Sequence, residues 1–328
     1  MTLILRRSDL VGLVDMAAAV NAVERAMGDL ARGSAVQPGP ALMRIGDDGA
    51  GFLPMAALSG NDCLASVKLL ADVPANAAAG LPTQRSSIVL VSSETGEVLA
   101  MLDGAIPTRM RTAAATAVAT KHLARTDSST LGLVGAGALG VEHVAALREV
   151  LPLERVTFWT RSDQTARRFQ DAVRHHGLEV KQLESPDAVV ESADVVCTLT
   201  PARTPVVTGA SFRPGLHVNA VGARPRPEER EIDTAGMARA GVFVDHLPTA
   251  REKSGDILIP ITEGALSLDG LRGEIGAVVA GMLPGRRDRD DITLFKSVGL
   301  GIQDLAVGRL LLEQARAAGK GISVDLGS

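Results

Sequence analysis

The stretch LGLVGAGALGVEHVAAL, which starts at Leu131, constrains the fold more than any other part of the sequence. Its glycines Gly135, Gly137 and Gly140 have the spacing GxGxxG between an apolar run and a helical segment, and a second strand-like run, VTFW, follows after about 20 residues. In this context the first glycine permits a tight turn, the second lets the backbone approach a pyrophosphate, and the third lets helix and strand pack closely. The stretch predicts a dinucleotide-binding turn, and the alternative is a glycine-rich turn without a ligand.

The sequence from Thr108 to Val244 alternates between strand-like and helix-like segments. The alanine-rich run TRMRTAAATAVATKHLAR predicts a helix with a basic C-terminus. Strands are predicted near 131–134, 156–159, 195–198, 217–221 and 242–244, and helices at 140–150 and 164–175. This alternation is typical of a doubly wound parallel sheet, so the predicted class is α/β with a Rossmann domain.

The N-terminal part predicts a different, α+β arrangement. A strand and a helix capped by Asp9 or Asp15 come first, and residues 34–60, rich in glycine and proline, indicate short strands and turns. The segments ALMRIG, CLASVKLLA and RSSIVLVSSETGEVLAMLD predict antiparallel strands, the last with a hairpin at SSETGE. Near the C-terminus, ITLFKSVGLGIQDLAVGRLLLEQARAAG predicts a strand, a turn and a long helix packed on a core.

The composition narrows the function classes. The chain has 328 residues, of which 46% are hydrophobic and only 2% aromatic, so two domains with aliphatic cores are expected. A net charge of −4 gives no basic surface for nucleic acid or an anionic membrane. The two cysteines form no CxxC pair, no histidine spacing suits a metal, and no apolar run reaches the ~20 residues of a membrane span. A cytoplasmic protein is expected.

The end of the second Rossmann strand, FWTRSDQ, indicates which nicotinamide cofactor binds. An acidic residue there would bind the ribose hydroxyls of NAD and repel the 2′-phosphate of NADP. Thr160, Arg161 and Ser162 instead offer a guanidinium and hydroxyl groups, and Asp163 comes one position later, where it suits a helix cap. NADP(H) is therefore favoured, with NAD(H) possible, and the alternative is an exposed surface arginine.

Three cations interrupt apolar or small-residue segments of the N-terminal part: Arg44, Lys68 and Arg111. Taken alone, each could be a long side chain whose charged end reaches the solvent. Together they could bind a carboxylate, with two arginines for paired contacts and a lysine able to donate a proton.

Lys68 and the runs RTAAATAVATKHLAR, LVGAGALG, VNAVGA and ITLFKSVGLGIQDLA together resemble the ornithine cyclodeaminase/mu-crystallin family, in order and over nearly the whole chain. The resemblance implies a homodimer. It also implies a substrate-binding and dimerisation domain at 1–112, completed by 300–328, and a Rossmann domain at 113–299. Arg44, Lys68 and Arg111 would hold the substrate carboxylate near the nicotinamide, and the KSVG segment would lie close to that ring.

One stretch departs from the family pattern. In cyclodeaminases and the related alanine dehydrogenases, the sequence at the end of this strand resembles VGAD-x-PGK-x-EL. This chain instead reads VGARPRPEEREI, with Arg224 in place of the aspartate. A guanidinium repels an ammonium group that a carboxylate would bind, so cyclodeamination is disfavoured. Arg224 or Arg226 could bind a second acidic group on the substrate, Glu228 or Glu229 could replace the aspartate, or these charges could simply be solvated.

The residues and the resemblance together predict NAD(P)H-dependent reduction of a 2-imino or cyclic ketimine carboxylate to an amino acid. Arg44 and Arg111 would fix the carboxylate, and Lys68 would bind it or protonate the developing amine. The alternatives are an ornithine- or lysine-type cyclodeaminase or amino-acid dehydrogenase, and a non-catalytic NADPH-binding protein. The predicted cofactor contacts are Gly135, Ala136, Gly137, Ala138, Leu139, Gly140, Thr160, Arg161, Ser162, Thr198, Val221, Ser297 and Gly299.

Overall fold

A computed structural model describes residues 1–39, 41–46 and 49–327. The chain divides into two compact units, one made of Met1–Thr112 with Leu300–Ser328 and the other of Ala113–Gly299. The chain enters the second unit in the middle of a helix and leaves it just before the last helix.

The helices and strands are numbered in the order in which they occur along the chain. The first part of the chain contains β1 (Thr2–Leu5), α1 (Arg7–Leu10), α2 (Met16–Arg32), β2 (Ala35–Val36), β3 (Met43–Arg44), β4 (Gly51–Ser59), β5 (Leu64–Asp72), β6 (Gln84–Ser92), β7 (Val98–Asp103) and α3 (Ala105–Leu123). The middle part contains β8 (Thr130–Val134), α4 (Ala138–Arg148), β9 (Arg155–Trp159), α5 (Asp163–Val173), β10 (Glu179–Gln182), α6 (Pro186–Ser192), β11 (Val195–Thr198), β12 (His217–Ala220), α7 (Thr234–Arg239), β13 (Gly241–Val244), α8 (Leu247–Lys253), α9 (Gly255–Thr262), β14 (Gly273–Glu274), α10 (Ile275–Val279) and β15 (Thr293–Lys296). The chain ends with α11 (Gly301–Ala317) and β16 (Ile322–Val324).

The first unit is built on a mixed sheet with the order β16-β1-β7-β6-β5-β4-β2, in which β3 also pairs with β4. Among the described strand pairs of this first sheet, only β1–β7 is parallel. Side chains alternate between its faces, so that Ser66 and Lys68 of β5 are buried while Val67 and Leu69 are exposed. Helix α11 covers the inner face against β4, β5 and β6, and α2 packs on α11.

The second unit is built on a parallel sheet with the order β10-β9-β8-β11-β12-β15-β13-β14. Its order reverses between β8 and β11, and in such sheets ligands bind beyond the carboxyl ends of the strands at this reversal. The predicted α/β class with a doubly wound domain is confirmed. All five predicted strands of this unit are present. Most of their residues are apolar and buried, as expected for central strands of a parallel sheet, and the polar His217 and Asn219 of β12 are buried as well.

Some details of the predicted elements are wrong. Helix α4 starts at Ala138 instead of 140, because Gly137 takes the extended conformation of an N-cap. The glycine- and proline-rich stretch holds not only short strands but the nine-residue β4, which pairs along its whole length with β5. Pro54, which has no N–H to donate, is tolerated because it lies where β4 pairs only with β5 among the described strands.

Helix α2 begins at one of the two caps that its sequence predicts. Asp15, one of the two predicted caps, accepts a hydrogen bond from the Ala18 N–H at 2.7 Å, and Gly33 ends α2 in the left-handed conformation.

None of the helices in the described part of the chain combines the length and the apolar character that a membrane-spanning segment needs.

Candidate active site

The glycine-rich turn between β8 and α4 is shaped by close packing at two of its three glycines. Gly135 has a φ of +103°, and a Cβ there would lie 2.9 Å from the Leu199 carbonyl oxygen. A Cβ on Gly140 would lie 3.3 Å from the Gly135 oxygen. Both glycines are therefore explained by the protein's own backbone.

Gly137 has no such explanation. It is exposed at the N-terminus of α4, and a Cβ at this position would meet no other atom within 4 Å. No side chain caps the helix here, so the first N–H groups of α4 and the positive end of its dipole face the space beside Gly137. These residues fit a dinucleotide pyrophosphate, which needs that space and those donors.

The carboxyl ends of β11 and β12 are tied together by the buried carboxylate of Glu231. It accepts hydrogen bonds from the Thr198 hydroxyl at 2.9 Å, the Thr200 N–H and hydroxyl at 2.7 Å each, and the N–H groups of Gly222 and Ala223 at 2.7 and 2.9 Å. Burial raises the pKa of Glu231. Thr198 and half-buried Val221, both predicted cofactor contacts, are thus placed by a carboxylate that the sequence analysis did not single out.

The KSVG segment after β15 is held in the same way by Asp245. This carboxylate accepts hydrogen bonds from the Ser297 hydroxyl at 3.0 Å and from the Gly299 N–H at 2.8 Å, and burial raises its pKa. Lys296 is buried too, with its Nζ 2.8 Å from Asp256 Oδ2. The Ser297 proton and the Gly299 N–H are therefore used inside the protein, which leaves the Ser297 oxygen as an acceptor.

The end of β9 presents the predicted cofactor-selecting residues. Thr160 is half-buried, and Arg161 and Ser162 are exposed. The predicted cap of α5 is wrong: the Ser162 hydroxyl accepts from the Thr165 N–H at 3.4 Å, and Asp163 is the first residue of the helix. An aspartate in the first turn instead favours the helix through its dipole.

In the first unit, Lys68 and Arg111 meet at one carboxylate. Lys68 Nζ lies 3.0 Å and Arg111 Nε 3.2 Å from Asp304 Oδ1, and Arg111 Nη1 donates to Gln303 Oε1 at 3.1 Å. Lys68, Gln303 and Asp304 are fully buried, and Arg111 is 7% exposed. We call these four residues the lysine–aspartate cluster. It contains two buried cations and one anion.

Burial lowers the pKa of Lys68 to about 8, an effect that Asp304 opposes and Arg111 adds to. A lysine of this kind is charged at neutral pH yet gives up its proton readily, as a general acid requires. Gln303 and Asp304 were not predicted as site residues, although the motif GIQDLA contains both. A signal was available, since polar residues in the apolar first turns of a core-facing helix are unusual.

Arg44 lies elsewhere on the same sheet. It is half-buried on β3 opposite Gly51, where an added Cβ would lie 3.4 Å from its guanidinium. Met55, the partner of Lys68, is four residues further along β4, about 13 Å of extended chain. The structure thus brings two of the three predicted cations to one carboxylate, that of Asp304, and places the third further along the sheet.

The charged loop after β12 folds on itself. Arg224 donates two hydrogen bonds to Glu229, at 2.8 and 2.7 Å, and Arg226 donates a third at 3.3 Å. Glu229 is 2% exposed, and Glu228 is exposed to solvent. The suggestion that Glu229 replaces the missing aspartate is disfavoured, because its carboxylate already binds Arg224.

Comparison with known proteins supports the resemblance seen in the sequence. The sequence model of the ornithine cyclodeaminase/mu-crystallin family matches residues 1–319. The chain is 33% identical to an alanine dehydrogenase of Archaeoglobus fulgidus, over 98% of both chains. It is 34% identical to a Δ1-pyrroline-2-carboxylate reductase of Bacillus cereus, over 79% of this chain and 80% of the relative. The structure of a Thermococcus litoralis Δ1-pyrroline-2-carboxylate reductase with NADH and L-proline superposes with a TM-score of 0.93 at 34% identity, covering 98% of this chain and 100% of that one.

Proposed function

The chain belongs to the ornithine cyclodeaminase/mu-crystallin family, and on that basis we propose that it is an NADPH-dependent reductase of 2-imino or cyclic ketimine carboxylates. The observation that carries this proposal is the lysine–aspartate cluster. A buried lysine that gives up its proton readily, beside a buried arginine, suits a small anion that must also receive a proton. The relatives whose names specify reduction of a C=N bond agree with it.

In this proposal Arg111 and Arg44 bind the substrate carboxylate, Arg111 from its fixed position against Asp304 and Arg44 from β3. A guanidinium offers paired donors that match the two carboxylate oxygens. The bound nicotinamide supplies a hydride to the imine carbon. Lys68 donates its proton to the nitrogen as the amine forms and is recharged from solvent. Fixing a small anion in one orientation accounts for much of the rate.

The cyclodeaminase alternative is less well supported. Arg224 occupies the position at which the cyclodeaminase pattern has an aspartate. Its guanidinium is held in position by two hydrogen bonds to Glu229. A substrate with a second ammonium group would gain no carboxylate there. A cofactor-binding protein without turnover would have no use for Lys68 and Arg111, whose burial is costly.

A direct assay tests the proposal. The protein is mixed with NADPH or NADH and a panel of cyclic ketimine carboxylates, together with pyruvate plus methylamine. We expect oxidation of the reduced cofactor, followed by its absorbance, with imines but not with the saturated amino acids. If a protein shown to bind NADPH oxidises it with none of these imines, but releases ammonia from ornithine or lysine, the cyclodeaminase alternative replaces this one.

We also propose that NADPH is preferred over NADH through Arg161. Its side chain is exposed directly beyond β9, where a 2′-phosphate would lie. The residue at this position is thus an arginine and not the acidic residue that would favour NADH. Replacing Arg161 with alanine should raise the KM for NADPH about 10- to 100-fold, since a charge-assisted hydrogen bond contributes about 1.5–3 kcal/mol. The KM for NADH should change little. Arg174→Ala, another exposed arginine of this unit, is the control, and equal losses for both cofactors would show that Arg161 does not select between them.

A homodimer formed through the outer face of the first unit's sheet is proposed as the working assembly. The outer apolar face consists of Phe52, Leu58, Val67, Leu69 and Met101, which are 38–46% exposed. Register places Ala56, Val67, Val89 and Met101 side by side across four strands. A continuous apolar band of this kind is typical of a surface covered by a partner.

Substituting glutamate for both Val67 and Leu69 should therefore produce a monomer. The added charges would be buried without partners in the dimer, whereas in the monomer they remain solvated. Sedimentation velocity measures the change, with circular dichroism to show that the fold persists. Val11→Glu, an exposed apolar residue away from this face, is the matched control. A double variant that still sediments as a dimer would place the interface elsewhere.

A cytoplasmic location is proposed as well, because Cys63 is an exposed free thiol and such thiols persist in reducing compartments. Fractionation of expressing cells tests this, and recovery outside the cytoplasm would contradict it.

A further inference from the structure

Two buried atoms of the lysine–aspartate cluster have no hydrogen-bond partner within the described part of the chain. They are Gln303 Nε2 and Asp304 Oδ2, and both side chains are fully buried. A buried polar atom left without a partner destabilises the fold, because it has lost its hydrogen bonds to water, and the effect is larger when the atom is charged. Folded proteins rarely accept this cost at two adjacent side chains without using them.

The orientation of each side chain is set by its other atom. Gln303 Oε1 accepts from Arg111 Nη1 at 3.1 Å and from the Leu300 N–H at 3.3 Å, so Nε2 is left as a donor. Asp304 Oδ1 accepts from both Lys68 and Arg111, which leaves Oδ2 as an acceptor. The cluster therefore offers donors from Lys68, Arg111 and Gln303, and one acceptor from Asp304.

This pattern specifies the ligand that would complete it. A carboxylate satisfies the donors, and a single N–H next to it satisfies the acceptor. A 2-imino acid in its protonated form has both groups, on adjacent carbons, and so does the 2-amino acid formed from it. A 2-oxo acid has the carboxylate, but its carbonyl oxygen would face the Asp304 oxygen with no hydrogen between them.

We propose that Asp304 Oδ2 accepts the N–H of the substrate iminium and that Gln303 Nε2 donates to its carboxylate, so that the cluster selects C=N over C=O substrates. The proposal rests on the reductase function proposed above. It makes Asp304 a catalytic residue, because a carboxylate at the nitrogen favours the protonated imine, which is the form that accepts hydride most readily.

Charges and atoms balance in this scheme. Hydride adds to the iminium carbon, and the C=N electron pair becomes the nitrogen lone pair, which gives a neutral amine still hydrogen-bonded to Asp304. Lys68 then gives its proton to that lone pair, and the product leaves as an ammonium carboxylate. Asp304 therefore contacts both the proton donor, through Oδ1, and the group that receives the proton, through Oδ2.

A matched pair of ligands tests this without turnover. Proline and tetrahydrofuran-2-carboxylate share ring size and carboxylate, but the ring N–H of one is an oxygen in the other. Their dissociation constants are measured by calorimetry on the protein with NADPH bound, because the reduced cofactor cannot oxidise proline. We expect the wild type to bind the N–H ligand at least about 10-fold more tightly, as a charged hydrogen bond predicts.

The variant Asp304→Asn keeps the Oδ1 acceptor for Lys68 and Arg111 and converts Oδ2 into a donor. Its preference for the N–H ligand should fall about 10- to 100-fold relative to wild type. Gln303→Leu should weaken both ligands and leave their ratio unchanged, which separates binding of the nitrogen from binding of the carboxylate. Circular dichroism and thermal melting establish that each variant is folded.

An unchanged ratio in folded Asp304→Asn would overturn the assignment. If that variant does not fold, equal affinity of the wild type for the two ligands would overturn it as well. Because these are binding measurements, the assignment can survive a failure of the proposed reductase activity. A protein that prefers the N–H ligand but turns over no imine would refute only the reductase proposal.

Discussion

Replacing Lys68 with methionine is expected to lower kcat/KM for imine reduction by about 10³-fold, within the range contributed by general acids. Methionine is apolar, unbranched and similar in length, so it suits a site that is fully buried. Asp304 keeps its contact with Arg111 in this variant, which limits the loss of stability. The affinity for NADPH should remain that of the wild type.

The pH dependence makes this prediction specific. The protonated form of Lys68 is the acid, and its pKa is about 8, so kcat/KM of the wild type should fall as pH rises through about 8. The residual activity of Lys68→Met should lack that fall. Steady-state kinetics between pH 6 and 10 measure both effects, with Lys181→Met, an exposed lysine on β10, as the control. Residual activity above about a tenth of wild type would show that Lys68 is not the acid.

Replacing Gly137 with valine is expected to weaken NADPH binding by at least about 100-fold, or ~2.7 kcal/mol, while leaving the melting temperature nearly unchanged. The two effects separate because a Cβ at Gly137 meets no protein atom within 4 Å, so the new side chain fills only the space assigned to the pyrophosphate. The backbone there is extended, a conformation that valine favours.

Gly140→Val is the matched control in the same turn. A Cβ at Gly140 would lie 3.3 Å from the Gly135 oxygen and 3.6 Å from Leu133 and Phe169, so this variant should lose stability directly. Fluorescence titration with NADPH and thermal melting measure the pair. Wild-type affinity in Gly137→Val would mean that the pyrophosphate does not approach this glycine.

The parts of the fold that the sequence predicts well are those specified by local pattern. Most of the predicted strands of the parallel sheet are apolar runs, and Gly135, Gly137 and Gly140 mark the turn by their spacing between an apolar run and a helical segment. Strand β4 is less visible, because its length comes from pairing with β5 and not from its own glycine- and proline-containing sequence. Propensity is a weak guide where a neighbouring strand determines the conformation.

The candidate site is harder to predict because its partners are distant in sequence. Lys68 and Asp304 are 236 positions apart, and Arg111 and Asp304 are 193 apart. The sequence therefore indicates the cations but not the carboxylate that joins two of them. Glu231 and Asp245 have the same property, since each reads as an ordinary surface charge until the loops that it holds are seen around it.

The most direct test of the central claim follows the hydride itself. The protein is incubated with a cyclic ketimine carboxylate and NADPH that carries deuterium at both C4 positions, and the amino acid formed is examined by mass spectrometry and NMR. We predict one deuterium on the carbon that bears the carboxylate, at a rate that falls with the Lys68→Met substitution. Amino acid formed without that label, or none formed by protein that binds both NADPH and the carboxylate, would contradict the assignment as an imine reductase.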